Sequence, residues 1–118
     1  MSQACLPKQA KLLKAVDYNH VFDKSVRSSD RYFTVLARPN ERPYARLGMA
    51  FTKKKVKLAV TRNRLKRITR ESFRLTQDKY NADYVVLAGA QCAKASNQEL
   101  FQSLVKHWQQ LNKKCAEL

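Results

Sequence analysis

The sequence predicts a single compact α/β (α+β) domain, in which about three helices pack against a small sheet. Three observations carry this. A hydrophobic content of 44% over 118 residues matches what one packed core requires. The apolar periodicity switches along the chain between helical and alternating patterns. An internal basic run contains no Gly or Pro and is interleaved with Val56, Leu58, Val60, Leu65, Ile68 and Phe73, which marks it as folded and not as a disordered tail.

Each element has its own signal. Between Val16 and about Val26, Tyr18, Val21, Phe22 and Ser25 fall at helical spacing and give a helix with a semi-aromatic face. Tyr32 to Arg38 alternates, with Phe33, Val35 and Ala37 on one side and Tyr32, Thr34 and Leu36 on the other, before the turn-prone Pro39, Asn40 and Pro43. Tyr44 to Phe51 then reads as a second strand, with Leu47, Met49 and Phe51 turned inward, and a short-looped antiparallel hairpin with the first is the economical arrangement. Residues 61–76 contain no breaker. On a helical wheel Thr61, Ile68, Ser72 and Thr76 lie within roughly 60° of Leu65, whereas Asn63, Lys66, Arg67, Arg70 and Arg74 form a cationic back, bordered by Arg62 and Arg64. Asp83 to Ala88 carries the continuous apolar run Tyr84, Val85, Val86, Leu87 of a strand covered on both faces, ended by Gly89. Ser96 and Glu99 form a capping-box pattern ahead of Leu100, Leu104, Trp108 and Leu111 in helical register. One domain thus spans residues 1–118, with its core over about 11–112 and looser order expected at 1–10 and 113–118.

Charge narrows the function. Lys and Arg number 24 against 9 Asp and Glu, a formal charge of +15, and +9 of it lies between Lys53 and Arg74, where Glu71 is the single acid. Like charges at i, i+4, as in Arg62 with Lys66 or Lys66 with Arg70, each destabilise a helix by a few tenths of a kcal/mol, so an anionic ligand is expected to offset them. No apolar run approaches the roughly 18 residues of a membrane span, and the first residues lack the apolar segment of a signal peptide, so a soluble, cytoplasmic protein is expected. Cys5, Cys92 and Cys115 include no C-x-x-C and read as reduced, incidental thiols.

Self-sufficient catalysis finds no residues to carry it. His20 and His107 lie on separate predicted helices, the acids are scattered without a D-x-D or E-x-x-H arrangement, and the only glycines, Gly48 and Gly89, exclude a Gly-rich phosphate loop. A binder is the better reading, with no metal or cofactor held by the protein. Guanidinium and ammonium groups along one helix face suit phosphate oxygens, so nucleic acid is the natural polyanion. Asn63 could read a base edge or stand idle on the surface; Tyr18 and Phe22, with Tyr32 or Phe33, could floor a stacking site or fill the core. Lys53, Lys54 and Lys55 could hold a phosphate or belong to a solvated loop.

The stretch from Arg46 through Gly48, Phe51 and Lys55, followed by Ala59-Val-Thr-Arg62-Asn63-Arg64-Leu65-Lys66-Arg67-Ile68-Thr-Arg70-Glu-Ser-Phe73-Arg74, closely resembles the bacterial ribonuclease P protein subunit. Its centre is that family's Arg-Asn-Arg motif, and the likeness extends over Tyr18-x-x-Val21-Phe22, the strand at Phe33, the Asp83-Tyr-Val-Val-Leu-Ala strand and the C-terminal helix. The resemblance implies a small mixed sheet whose basic helix forms a left-handed crossover between parallel strands, against the usual handedness. It also implies a monomeric protein, one per RNA, that binds a catalytic ribonuclease P RNA and the 5′ leader of precursor tRNA, while the RNA uses magnesium to remove the leader. By the same resemblance Arg62, Asn63, Arg64, Lys66, Arg67, Arg70 and Arg74, with Lys53 and Lys54 at the border, meet the catalytic RNA. A cleft holding the leader would have Tyr18, Phe22, Phe33 and Leu36 at its matching positions. Tyr18 stands where many relatives have Phe, and Leu36 where some have an aromatic, which implies thinner stacking there.

Three other readings make distinct expectations. A structural RNA-binding protein of ribosomal type would show no leader dependence; a protein-only nuclease would cleave without RNA; a membrane-surface helix would need Trp, Phe or Leu where this one has Thr and Ser. For a subunit that acts through electrostatics and position, Arg64→Ala and Arg67→Ala should spare the fold, since neither side chain shares the Leu65 face, and impair function at low magnesium.

Overall fold

The computed structural model describes residues 10–12 and 14–118. Three helices, α1 (Ala15–Asp23), α2 (Ala59–Leu75) and α3 (Asn97–Ala116), pack with one four-stranded sheet of β1 (Val26–Ser29), β2 (Phe33–Pro39), β3 (Arg46–Ala50) and β4 (Ala82–Ala88). The strand order is β1-β2-β4-β3. β4 lies inside the sheet, antiparallel to β2 and parallel to β3, so α2 forms a crossover between parallel neighbours.

Two sequence expectations are corrected here. β2 and β3 do not form a hairpin: each pairs with β4, because the uninterrupted apolar run Tyr84 to Leu87 needs cover on both faces and a partner on both edges. The first helix stops at Asp23, and the residues assigned to its end become β1, which pairs antiparallel with β2 from Val26 opposite Ala37 to Ser29 opposite Thr34. VRSS carries too few apolar residues to signal a strand. At the other end α3 continues through Ala116 with Cys115 buried, beyond the point where the sequence places the end of the core. The expectation for residues 1–9 falls outside the described residues.

The sheet's two faces are unequally covered. On one side Phe33, Val35 and Ala37 of β2, Leu47 of β3 and Tyr84 and Val86 of β4 meet Leu65, Ile68 and Phe73 of α2 and Leu100, Leu104, Trp108 and Leu111 of α3. Phe73, Tyr84 and Trp108 contact one another edge to face with centroids 5.5–5.7 Å apart, a geometry that adds about 0.5–1.5 kcal/mol per pair beyond area burial. The Ser96–Glu99 capping box closes the start of α3 as its sequence requires. On the opposite face α1 buries Val21 on Val85, with Leu12, and leaves Leu36 and Leu87 half-covered beside Tyr18. The smaller cluster leaves part of this face open. The row Ala50, Leu87, Thr34, Ser29, which runs across all four strands, keeps solvent access throughout.

Candidate nucleic-acid interface

The roll of α2 about its own axis is set from beneath. Leu65, Ile68, Thr69, Ser72 and Phe73 are buried, and Trp108 donates its indole N–H to Ser72 Oγ at 2.9 Å. A buried donor left without its acceptor is destabilising by about 1–3 kcal/mol, so this bond pins the helix in one orientation. The opposite face then presents Asn63 and Arg67 to solvent, with Lys66, Arg70 and Arg74 half-buried along its flanks. Leu58 at the N-cap supplies no side-chain acceptor and the first turn holds no acid, so the positive end of the helix dipole adds to the field of these side chains. Lys53 and Lys54 sit exposed in the turn that follows β3.

The two arginines of the Arg-Asn-Arg motif have partners within the protein. Arg62 donates to the carbonyls of Val56 at 2.8 Å and Lys57 at 3.0 Å, tying down the segment that leads into α2. Arg64 donates to Asn97 Oδ1 at 2.7 Å and, with longer bonds, to the carbonyls of Ala93 and Ala95, so it links α2 to the approach of α3. The expectation that Arg64 is free of any structural duty is therefore corrected: it lies off the Leu65 face, yet it reaches sideways to a neighbouring element. Arg67 has no such partner among the described residues.

Few of the positive charges are neutralised internally. Among the described residues Arg46 is the one Lys or Arg within 4.0 Å of a carboxylate, at 2.6 Å from Asp83 and 3.5 Å from Asp17. Asp83 is buried and the Arg46 side chain is 12% exposed, and Asn40 also donates to Asp83 at 2.8 Å. Burial works against the Asp83 carboxylate, but the bonds from Arg46 and Asn40 outweigh it and hold the group below the usual carboxylate range. The Asp83 bond correspondingly raises the Arg46 guanidinium. This cluster fixes the end of the sheet beneath α1; it belongs to the scaffold.

Between α1 and α2 the structure brings together residues that the sequence had placed in separate sites. The ring of Tyr18 comes up against Gly48 of β3, and its hydroxyl accepts the Met49 N–H at 3.2 Å. Gly48 makes this possible, since a Cβ there would stand 2.8 Å from the Tyr18 ring. Lys66 and Arg70 of α2 line the same concavity of about 200 Å³, together with Lys11. Phe22, one helical turn beyond Tyr18, is 48% exposed, and Leu36 lies half-covered in the floor. Phe33 does not join them. It is fully buried on the opposite face of the sheet, 6.2 Å from Phe51, because alternation along β2 sends residues 33 and 36 to opposite sides. Its place in the cleft is withdrawn. Tyr32 is likewise engaged elsewhere, donating to Glu99 Oε2 at 3.1 Å.

Sequence reasoning missed Gly48 and Lys11 as parts of this cleft. One signal for Gly48 was available: an isolated Gly between two inward-facing strand residues, in a chain with two glycines, marks a close approach. The described residues hold no group of three His, Cys, Asp or Glu side chains placed to share a metal ion, and none of their helices is long and apolar enough to cross a membrane.

Fold and surface together define a class: a small α/β domain with a half-open sheet face and a largely unneutralised cationic crossover helix beside it, built to meet a polyanion. Comparison with known proteins gives the family. The family model for ribonuclease P matches residues 6–112, and the chain belongs to the ribonuclease P protein family. It is 42% identical over 111 residues to the ribonuclease P protein component of Methylococcus capsulatus, covering 93% of this chain and 87% of that one. With the ribonuclease P protein component of Vibrio cholerae it shares 42% identity over 114 residues, 96% of this chain and 97% of the relative. Among solved structures, the Staphylococcus aureus RNase P protein superposes with a TM-score of 0.79 at 26% identity, over 85% of this chain and 93% of that one. The Thermotoga maritima RNase P protein gives 0.75 at 27% identity, over 87% and 96%.

Proposed function

We propose that this chain is the protein subunit of a ribonuclease P ribonucleoprotein, binding both the catalytic RNA and the 5′ leader of precursor tRNA, and so assisting magnesium-dependent removal of the leader. The observation that carries this reading is the placement of the open sheet face and the Tyr18 cleft directly beside α2, whose cations have no carboxylate partners among the described residues. Asn63, Arg67 and Arg74, with the outward N–H groups of Arg62 and Arg64 and the nearby Lys53 and Lys54, meet the catalytic RNA. The single-stranded leader crosses the open face, where Tyr18, Phe22 and Leu36 offer flat and apolar contacts to its bases.

The protein's contribution is electrostatic and positional. A strongly cationic domain lodged between two polyanions lowers their mutual repulsion, releases condensed counterions and raises the effective affinity of the RNA for magnesium without any protein ligand to the metal. Chemistry stays with the RNA. The subunit acts as a monomer in the cytoplasm, one per catalytic RNA.

The test is cleavage of a precursor tRNA by a bacterial ribonuclease P RNA at limiting magnesium, with and without this protein. Stimulation that grows with leader length is the expected result. RNA binding without any stimulation would transfer the chain to the structural RNA-binding class.

A further inference from the structure

We infer that Tyr18, Lys66 and Arg70 form a single phosphate-binding pocket for the leader's backbone, so that these two cations of α2 serve the substrate and not the catalytic RNA. The inference rests on the leader-binding reading above and adds to it a defined subsite, with the chemical group that fills it.

Three observations place it. First, the pocket between α1, β3 and α2 is lined by the Tyr18 hydroxyl end, Lys66, Arg70 and Lys11, and at about 200 Å³ it is smaller than the roughly 300–1,000 Å³ typical of sites for whole small molecules. It suits one small group. Second, the hydrogen-bond arithmetic of Tyr18 leaves a donor pointing out. β3 is the last strand of the sheet, its outer edge bridged to Lys11 at Leu47, where the Leu12 N–H donates to the Leu47 carbonyl at 2.9 Å, and the Met49 N–H further along it donates to the phenol oxygen at 3.2 Å. The oxygen is thereby used as acceptor, and among the described residues nothing receives its proton. The surrounding side chains, Lys11, Lys66 and Arg70, carry donors only. Third, no carboxylate lies within 4.0 Å of any of the three cations among the described residues, so nothing internal competes for the site.

A cluster of donors with no acceptor calls for an anion with several oxygens. A phosphodiester supplies two unesterified oxygens and one negative charge, enough to accept from the phenol and from Lys66 or Arg70 together. The ring of Tyr18 cannot swing away to avoid the role. Gly48 admits it to the strand surface and Met49 holds it there, so the hydroxyl is fixed relative to α2 before any ligand arrives. Tyr18, which lines the pocket, also packs with Leu36 in the smaller apolar cluster, so a strand whose bases rest on that cluster would carry its backbone past the pocket.

The experiment uses the reconstituted holoenzyme and precursor tRNAs that carry one neutral methylphosphonate linkage at successive leader positions, with mature tRNA as reference. For the unaltered protein, one leader position is expected to lose about tenfold in affinity on neutralisation, the size of a charged hydrogen bond. Lys66→Gln, Arg70→Gln and Tyr18→Phe are each expected to weaken the all-phosphate precursor and to become insensitive to that same linkage, while mature tRNA binding is unchanged. The salt dependence of precursor binding should flatten by about 0.7 in log–log slope for each lysine or arginine variant. If these variants weaken mature tRNA and precursor equally, or impair assembly with the catalytic RNA, the pocket belongs to the RNA interface and the inference is overturned. If the unaltered protein shows no dependence on the leader at all, it is the functional proposal itself that fails.

Discussion

At the residue scale, the most consequential contacts are buried and polar. The Arg46–Asp83 pair, with 12% and 5% side-chain exposure, holds the end of β3 to β4. Asp83→Asn takes the closer, bidentate carboxylate from a largely buried guanidinium and leaves it only Asp17 at 3.5 Å, and is expected to destabilise the protein by about 3 kcal/mol, measured by urea denaturation. His107 adds a pH dependence. Its Nδ1 lies 2.6 Å from Ser28 Oγ and its Nε2 3.3 Å from Asp30 Oδ2, joining α3 to β1 and the following turn. Burial lowers its pKa from the ordinary value near 6.5, outweighing the pull of Asp30 in the other direction. A histidine that is harder to protonate when folded contributes stability that is present above its unfolded pKa and is lost as pH falls through the folded value. The thermal midpoint should therefore drop on acidification from pH 7 towards 5, and His107→Gln should flatten that part of the profile. An unchanged profile in the variant would assign the acid sensitivity to carboxylates such as Asp83 and Asp30, whose depressed pKa values act lower on the scale.

Elements show how much was legible in the sequence, and where reading stopped. α2 and α3 were evident, because long amphipathic helices carry their burial pattern in the spacing of Leu65, Ile68 and Phe73 or of Leu100, Leu104, Trp108 and Leu111. β4 was evident from its apolar run. The pairing of strands was not, since an antiparallel hairpin and two strands meeting a common third present the same local alternation; only the demand of β4 for two neighbours decides between them. Phe33 was misplaced although the alternation already separated it from Leu36, because a matching family position outweighed the period of 2. The lateral reach of Arg64 had no sequence signal, since its partners lie 29 to 33 residues away, in the short turn before α3 and at the first residue of α3. That reach makes a prediction for the element: Arg64→Ala should destabilise by about 1 kcal/mol and speed amide exchange in residues 93–99, whereas Arg67→Ala should alter neither. Gly89 offers a harsher test. A Cβ there would approach the Arg31 and Tyr32 backbone to 2.7 Å, so Gly89→Ala should lower the thermal midpoint by several degrees where the same change on an exposed loop would not.

For the whole molecule, +15 spread over 118 residues, and among the described residues scarcely paired with carboxylates, determines how it behaves toward RNA. Affinity for the catalytic RNA should fall steeply with salt. If the six cations Arg62, Arg64, Arg67, Arg74, Lys53 and Lys54 each displace about one counterion from duplex RNA, the log–log slope should be near −5, taking about 0.9 per contact from duplex DNA, and a filter-binding series in potassium chloride will measure it. The radius of gyration of 13.3 Å is small against the electrostatic range at low salt, where screening lengths reach roughly 30 Å, so the free protein should act there nearly as a point charge and associate fast. At physiological salt the length shrinks to about 8 Å and the arrangement of charge on α2 begins to matter.

The strand order has a temporal side as well. β2 and β3 have no hydrogen-bonded contact with each other, and β4, the strand that joins the β1–β2 pair to β3, begins only at Ala82. A growing chain therefore completes α2, with all its positive charge, before the four-stranded sheet that receives its apolar face can close. During that interval Leu65, Ile68 and Phe73 are uncovered beside ribosomal RNA, the nearest polyanion in the cell. On the ribosome, chains truncated before Ala82 and tethered through a linker long enough to clear the exit tunnel should stay protease-sensitive and adhere to the exit surface in a salt-reversible way, while chains tethered in the same way that include α3 should detach from that surface and resist digestion.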